Sequence, residues 1–114
     1  MKIKKKIKVI LSQVRKKQPL VHHLTNPVTI NDCANVVLAL GGSPVMASAL
    51  EEVEEMVEHA AALVLNLGTL DEKILLAMHL AGKRANQRGI PVVLDPVGVG
   101  STKFRKQGAK ALLK

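Results

Sequence analysis

Apolar positions along the chain follow two patterns, a helical spacing and short uninterrupted runs, and the two patterns alternate. Residues 2–17 carry an apolar side chain at about every third or fourth position, which predicts an amphipathic helix. The short apolar runs that follow are predicted strands, at 20–24, 43–48, 62–69 and 91–95. Regular alternation of strand and helix indicates a parallel sheet with right-handed crossovers and helices on its faces.

Capping residues set the expected helix boundaries. Asn26 stands directly before a proline, which predicts a helix that begins there and ends at Gly41. Ser48 and Thr69 each precede a glutamate by three residues, so capping boxes are expected at the next two helices. The candidate caps of the last helix are Ser101 and Thr102.

The N-terminal segment, residues 1–18, has two interpretations. Its apolar stripe favours a helix that packs on the domain formed by residues 19–114, because such periodicity is the ordinary mark of a core-facing helix. The alternative is a basic arm that binds a membrane surface or nucleic acid. The stripe consists of Ile3, Ile7, Ile10, Leu11 and Val14.

The charge distribution argues against nucleic acid as a partner, although the net charge is +8. Residues 1–17 hold eight Lys/Arg and residues 103–114 hold five, with no acid in either segment. Residues 18–102 hold four Lys/Arg against nine Asp/Glu, so the body of the chain is acidic. Phe104 is the sole aromatic residue, which leaves no platform on which bases could stack.

Length and cysteine content narrow the class further. The 114 residues suggest one domain or part of one, and no apolar run is long enough to span a bilayer, so no membrane partner is expected. Cys33 is the only cysteine, which excludes an internal disulfide and fits the cytoplasm. It falls on the apolar stripe of its helix and is expected to be buried and inert.

Polar and flexible residues gather where the predicted strands end. The first strand leads to Asn26, the second to Met46, the third to 66–69 and the fourth to 95–98. Because the carboxyl ends of parallel strands meet at one edge of a sheet, where ligands bind, we expect Met46 and Asp95 to face the same cleft. His22 and His23 are neighbours on a strand and point to opposite faces, so they are not expected to share a metal, and we assign them no role.

These residues also have purely structural interpretations. Met46 can fill space in the core, Asn26 can cap a helix, and Gly68 with Thr69 can form a turn and a cap. Asp95 is the most informative, since a carboxylate at the end of a buried strand needs hydrogen bonds, a cation or a cleft. The same carboxylate can, however, simply cap the following turn.

Three segments together resemble the hydroxyethylthiazole kinase family. They are "HHLTNPVTINDCANVVLALGGSPVMA", "LVLNLGTL" and "PVVLDPVGVGST", and the similarity in order and spacing runs from about Pro19 to Thr102. The resemblance implies a three-layer, ribokinase-like α/β fold that is incomplete here, with about four βα units. It also implies a cytoplasmic enzyme of thiamine salvage.

The family transfers the γ-phosphate of ATP to the hydroxyl of 4-methyl-5-(2-hydroxyethyl)thiazole, with Mg²⁺. By this resemblance Met46 contacts the thiazole ring, and Asp95 helps to hold Mg²⁺ or its water. The other positions that match the family's substrate pocket are Asn26, Gly68, Thr69, Val97 and Gly98. The family is usually trimeric, with substrate pockets at subunit boundaries, so a homo-oligomer is expected.

The sequence departs from the family because it stops at Lys114. The resemblance places the catalytic base, most of the nucleotide pocket and a glycine-rich anion hole beyond that residue. We therefore expect these 114 residues to be the N-terminal portion of such a kinase and to be inactive alone. The alternative is a fragment that binds a small molecule or oligomerises without catalysis.

Overall fold

A computed structural model describes residues 2–114, and within them five helices alternate with four strands, as the sequence predicts. The elements are α1 (Lys2–Lys17), β1 (Leu20–Leu24), α2 (Ile30–Leu40), β2 (Ser43–Met46), α3 (Val53–Glu58), β3 (Ala62–Asn66), α4 (Glu72–Gln87), β4 (Val92–Asp95) and α5 (Lys103–Leu112). None of the helices in 2–114 combines the length and the apolar character that a membrane span needs.

The four strands form one parallel sheet in the order β2-β1-β3-β4. The chain runs from β1 outward to β2 and then crosses back to β3 and β4, so the direction of winding reverses between β1 and β3. Right-handed crossovers then place α2 on one face of the sheet and α3 and α4 on the other. In agreement, α4 packs against α3 and α5, whereas α2 packs against β2 and α1. The predicted α/β fold is therefore confirmed.

The core lies between the sheet and α4. Alternate residues of β3 and the loop after it, Leu63, Leu65 and Leu67, are at most 3% exposed and meet the small and aliphatic side chains of the helices. Those helix residues are Val53, Val57, Ala77, Met78, Ala81 and Ala85. On the rim of this layer Arg84 pairs with Glu54 and Glu58 at 3.2 and 2.5 Å, so part of the acidic run before β3 ties α3 to α4.

The N-terminal helix forms as predicted, but its stripe packs on the domain only in part: Leu11 and Val14 are half-buried, whereas the other three side chains are exposed. No residue of α1 is buried, and the side chains of Ile3 and Ile10 are 72% and 56% exposed. The reason is that α1 rests on α2 near its own C-terminal end, where Arg15 lies against Gly41. The first turns of α1 lie away from this contact, and their apolar side chains face solvent.

Two of the expected caps form. Gly41 ends α2 in the left-handed conformation, with φ of 98°, and its N–H donates to carbonyls of the last helical turn. The Thr102 side chain accepts from Arg105 N at the start of α5. Both positions are specified by local geometry alone, which explains why the sequence predicts them.

The other expected helix starts are wrong. α2 begins at Ile30 because Asn26 closes a turn of its own before the helix. Neither expected capping box forms: α3 starts after Glu52 without a side-chain cap, and Asp71, not Thr69, caps α4. The S/T-x-x-E spacing occurs here in the loops that lead into the helices.

Two burial expectations also need correction. Cys33 is half-buried rather than buried. The run at 92–95 is only half-buried, and Val93 is 57% exposed. β4 lies at the edge of the sheet, and α4 covers one face of it.

Candidate active site

The loops after β1, β3 and β4 line an open cavity of about 590 Å³ at the carboxyl end of the sheet. It lies beside the point where the winding reverses, which is the usual ligand position in open α/β sheets. Six of the seven residues expected to form a site line this cavity. They are Asn26, Gly68, Thr69, Asp95, Val97 and Gly98.

Met46, the seventh residue, does not line this cavity. It ends β2, and the order β2-β1-β3-β4 places two strands between it and Asp95. At about 4.8 Å between neighbouring strands, the two residues are separated by roughly 14 Å across the sheet. The expected common cleft for Met46 and Asp95 is therefore not formed within residues 2–114, and a contact of Met46 with a substrate remains a prediction.

Asn66 joins the ends of three strands through its carboxamide. Its Oδ1 accepts from Asn26 Nδ2 at 2.8 Å and from Gly68 N at 2.9 Å, and its Nδ2 donates to Asp95 Oδ2 at 3.1 Å. The sheet produces this contact because Asn66 and Asp95 are register partners in β3 and β4. The orientation of the amide is fixed because Oδ1 accepts from two donors and Nδ2 lies beside a carboxylate. Asp95 is thereby oriented, and its Oδ1 stays outside this hydrogen-bonded chain.

Asn26 is buried, at 7% exposure, and serves two purposes. Its Oδ1 accepts from Val28 N at 3.0 Å and Thr29 N at 3.2 Å, which closes the turn between β1 and α2. Its Nδ2 donates to Asn66, which fixes that turn to β3. The side chain thus holds one wall of the cavity in place.

Backbone conformation at the cavity explains two of its glycines. A Cβ at Gly68 would lie 2.5 Å from Asn26 Nδ2, so no side chain fits there without displacing the amide network. Gly98 has φ of 67°, in the left-handed region that favours glycine. Thr69 adopts the same region with φ of 49°, which is uncommon for a residue with a side chain.

Sequence analysis missed Arg105, which also lines the cavity. Its Nη1 donates to the carbonyl oxygens of Leu67 and Val97, the second at 2.9 Å. Arg105 lies in the first turn of α5, after the last of the segments that resemble the family. No local pattern could reveal it, because its partners are 38 and 8 residues away.

The paired histidines on β1 lie outside the cavity. His22 Nε2 is 2.7 Å from the carbonyl oxygen of Ala47, whereas neither ring nitrogen of His23 has a partner within residues 2–114. Burial lowers the pKa of both side chains. Because neighbouring residues of a strand point to opposite faces, we still expect the two rings to lie on different sides of the sheet.

Asp95 fits a magnesium site that water and substrate phosphates complete, rather than a metal site made of protein ligands alone. Residues 2–114 contain no group of three or more His, Cys, Asp or Glu that could hold a metal. Mg²⁺, however, commonly uses one or two carboxylates together with waters and substrate phosphates. Asp95 is an exposed carboxylate oriented at the cavity wall, so it fits that kind of binding.

The fold defines a class: a doubly wound α/β protein, with an open cavity at its switch point. The hydroxyethylthiazole kinase family model matches residues 11–114. The chain is 55% identical over 114 residues to a hydroxyethylthiazole kinase of Alkaliphilus oremlandii, covering 100% of this chain and 42% of that one. It is 60% identical over 104 residues to one of Methanocella arvoryzae, covering 91% and 39%.

A solved structure gives the same result. The hydroxyethylthiazole kinase protein from Pyrococcus horikoshii OT3 superposes with a TM-score of 0.88 at 52% identity, covering 90% of this chain and 41% of that chain. The chain belongs to the hydroxyethylthiazole kinase family, which confirms the resemblance seen in the sequence. It spans about two-fifths of the length of these relatives.

Proposed function

We propose that these residues form the substrate-binding and metal-side part of a kinase that phosphorylates 4-methyl-5-(2-hydroxyethyl)thiazole with ATP. The observation that carries the proposal is that six family-matched positions, from three separate segments of the sequence, line one cavity. A cavity of about 590 Å³ has room for a small heterocyclic alcohol. We place the reaction in the cytoplasm, as a step of thiamine salvage.

The proposed role of each group follows from its chemistry. Gly68 leaves room for the Asn26 amide against its backbone, so the loop keeps the shape that borders the ring. Val97 supplies an apolar surface beside the ring, and the Gly98 turn shapes the floor. Asn26 fixes the wall opposite. Met46 is also proposed to contact the thiazole ring, although it does not line the cavity.

Asp95 is proposed to hold Mg²⁺, directly or through a water. Bound with ATP, the ion would neutralise charge on the phosphates, and phosphoryl transfer depends mainly on such positioning and neutralisation. Asn66 keeps the carboxylate pointing toward the cavity by donating to Oδ2. The side chains of these residues are therefore proposed to bind the ion and to orient the groups around it. No proton transfer is assigned to any of them.

Calorimetric titration of the thiazole alcohol into the 114-residue chain tests the binding proposal. We expect saturable binding, and binding that is weakened when Gly68 is replaced by alanine. Gly100→Ala is the matched control, because a Cβ there meets nothing within 4 Å. Absence of heat at any concentration of the alcohol would refute the proposal. ATP turnover measured on the same sample separates a catalyst from a module that only binds.

We also propose that copies of the chain associate, as a trimer, through the outer surface of α1 and α2. The support is the run of exposed aliphatic side chains on these two helices, which is larger than scattered surface residues require. They include Ile3, Ile7, Ile10, Val36, Leu38 and Leu40.

Sedimentation velocity of two single variants tests the association. Ile7 and Val9 are similarly exposed, at 50% and 55%, but lie on the apolar and the basic side of α1. Ile7→Lys is expected to shift the population toward the monomer, whereas Val9→Lys leaves it unchanged. Equal behaviour of the two variants would contradict an interface on the apolar stripe.

A further inference from the structure

Arg105 connects the two loops that form most of the cavity. A single guanidinium nitrogen, Nη1, donates both to the carbonyl of Leu67, after β3, and to the carbonyl of Val97, after β4. Leu67 is fully buried, so one end of this link is anchored in the core. The side chain also attaches both loops to the first turn of α5.

Ion pairing does not explain the position of Arg105. The salt bridges found within residues 2–114 involve Arg84 and Arg88, and Arg105 takes part in none of them. Its partners are backbone oxygens, and hydrogen bonds from a charged donor are stronger than those between neutral groups. The charged guanidinium of Arg105 thus stabilises the backbone of the two loops.

Both loops contain a residue in the left-handed region, Thr69 with φ of 49° and Gly98 with φ of 67°. Such conformations persist only where the surroundings hold them, and they often occur at ligand sites. The Arg105 side chain also lies against the second of them, since a Cβ at Gly98 would be 3.3 Å from its Cδ. One side chain therefore contacts the Gly98 turn and binds the carbonyl two residues before Thr69.

We propose that Arg105 is a positioning residue: it holds the loops at 67–69 and 96–98 at the spacing at which their backbone receives the ligand. The part that concerns affinity rests on the proposed binding of the thiazole alcohol. The part that concerns loop geometry does not depend on that ligand. In both, the guanidinium acts through the two carbonyls, and it is assigned no contact with the reacting groups.

Hydrogen exchange measured on the whole 114-residue chain tests the loop geometry. Arg105→Ala is expected to speed exchange in both loops, and low millimolar guanidinium is expected to restore protection by occupying the vacated position. Lys106→Ala controls for loss of charge on the same helix.

Affinity is measured on the same variants by calorimetry with the thiazole alcohol. Losing two hydrogen bonds from a charged donor is expected to weaken binding at least about tenfold in Arg105→Ala. Lys106→Ala should bind like the parent chain. If the parent chain does not bind the alcohol, the proposed function fails, and the exchange result alone decides the role of Arg105. Unchanged exchange in Arg105→Ala, or equal acceleration in Lys106→Ala, would overturn the inference.

Discussion

Replacing Asn66 by alanine should destabilise the fold measurably, because its carboxamide joins the ends of three strands. The change leaves Asn26 Nδ2 and Gly68 N without their acceptor and Asp95 Oδ2 without its donor. A buried donor left unpaired costs about 1–3 kcal/mol. The cavity is open to water, which reduces the cost toward the lower end of this range. For two such donors we expect a loss of about 2–4 kcal/mol in the free energy of unfolding.

Urea unfolding followed by circular dichroism measures this loss, and thermal unfolding provides a second value. For a domain of about this size each kcal/mol lowers Tm by roughly 4–8 °C, so a fall of at least about 8 °C is expected. Asn86→Ala, at an exposed position of α4, is the matched control and should change little. Asn66→Asp keeps the acceptor but sets a second carboxylate beside Asp95, so its stability should recover as pH falls. A loss below about 0.5 kcal/mol in Asn66→Ala would refute the idea that this amide organises the site.

Two further predictions concern packing and protonation. Gly68→Ala should lower the free energy of unfolding in urea by about 1–3 kcal/mol, because its Cβ would meet Asn26 Nδ2 at 2.5 Å. Gly100→Ala should be nearly neutral, because a Cβ there meets nothing within 4 Å. A larger loss in Gly100→Ala than in Gly68→Ala would contradict the described loop. Burial holds the pKa of His22 and His23 below the ordinary value of 6.5, so the unfolded chain binds more protons below that pH, and stability should fall as pH drops through 6.5 toward the folded pKa values. His23→Leu should flatten this dependence in unfolding measured from pH 8 to pH 5, and an unchanged slope would exclude His23 as a contributor.

The sequence predicts those features that depend on local chemistry. β1 at Leu20–Leu24 matches its apolar run, and Gly41 and Thr102 cap their helices because glycine and threonine suit those backbone positions wherever they occur. The gathering of polar residues at one sheet edge also follows from the sequence. These residues stand at the carboxyl ends of the strands, and a parallel sheet brings those ends to the same edge. The family resemblance rests on these same segments.

Features that depend on distant contacts escape the sequence. Asn26 looks like a helix cap until Asn66 is placed beside it, and only the register of β3 with β4 brings Asn66 to Asp95. The role of Arg105 depends on a carbonyl 38 residues away. The periodicity of α1 correctly predicts a helix, but periodicity cannot tell whether the apolar side is covered by the same chain.

The position of Met46 shows how strand order limits such arguments. Knowing that four strands end at one edge does not reveal that β2 and β4 lie at opposite sides of the sheet. Spacing along the chain places the two residues on the same edge, but the distance between them is set by the two strands that separate them.

The central claim is that the loops after β1, β3 and β4 together bind the thiazole alcohol, and mapping backbone amide shifts by NMR during a titration tests it most directly. The account predicts saturable changes at Gly68, Thr69 and Gly98, with smaller ones at Asn26. Changes confined to the separate cavity of about 440 Å³ beside His79 and Lys83, or no saturable change anywhere, would contradict it.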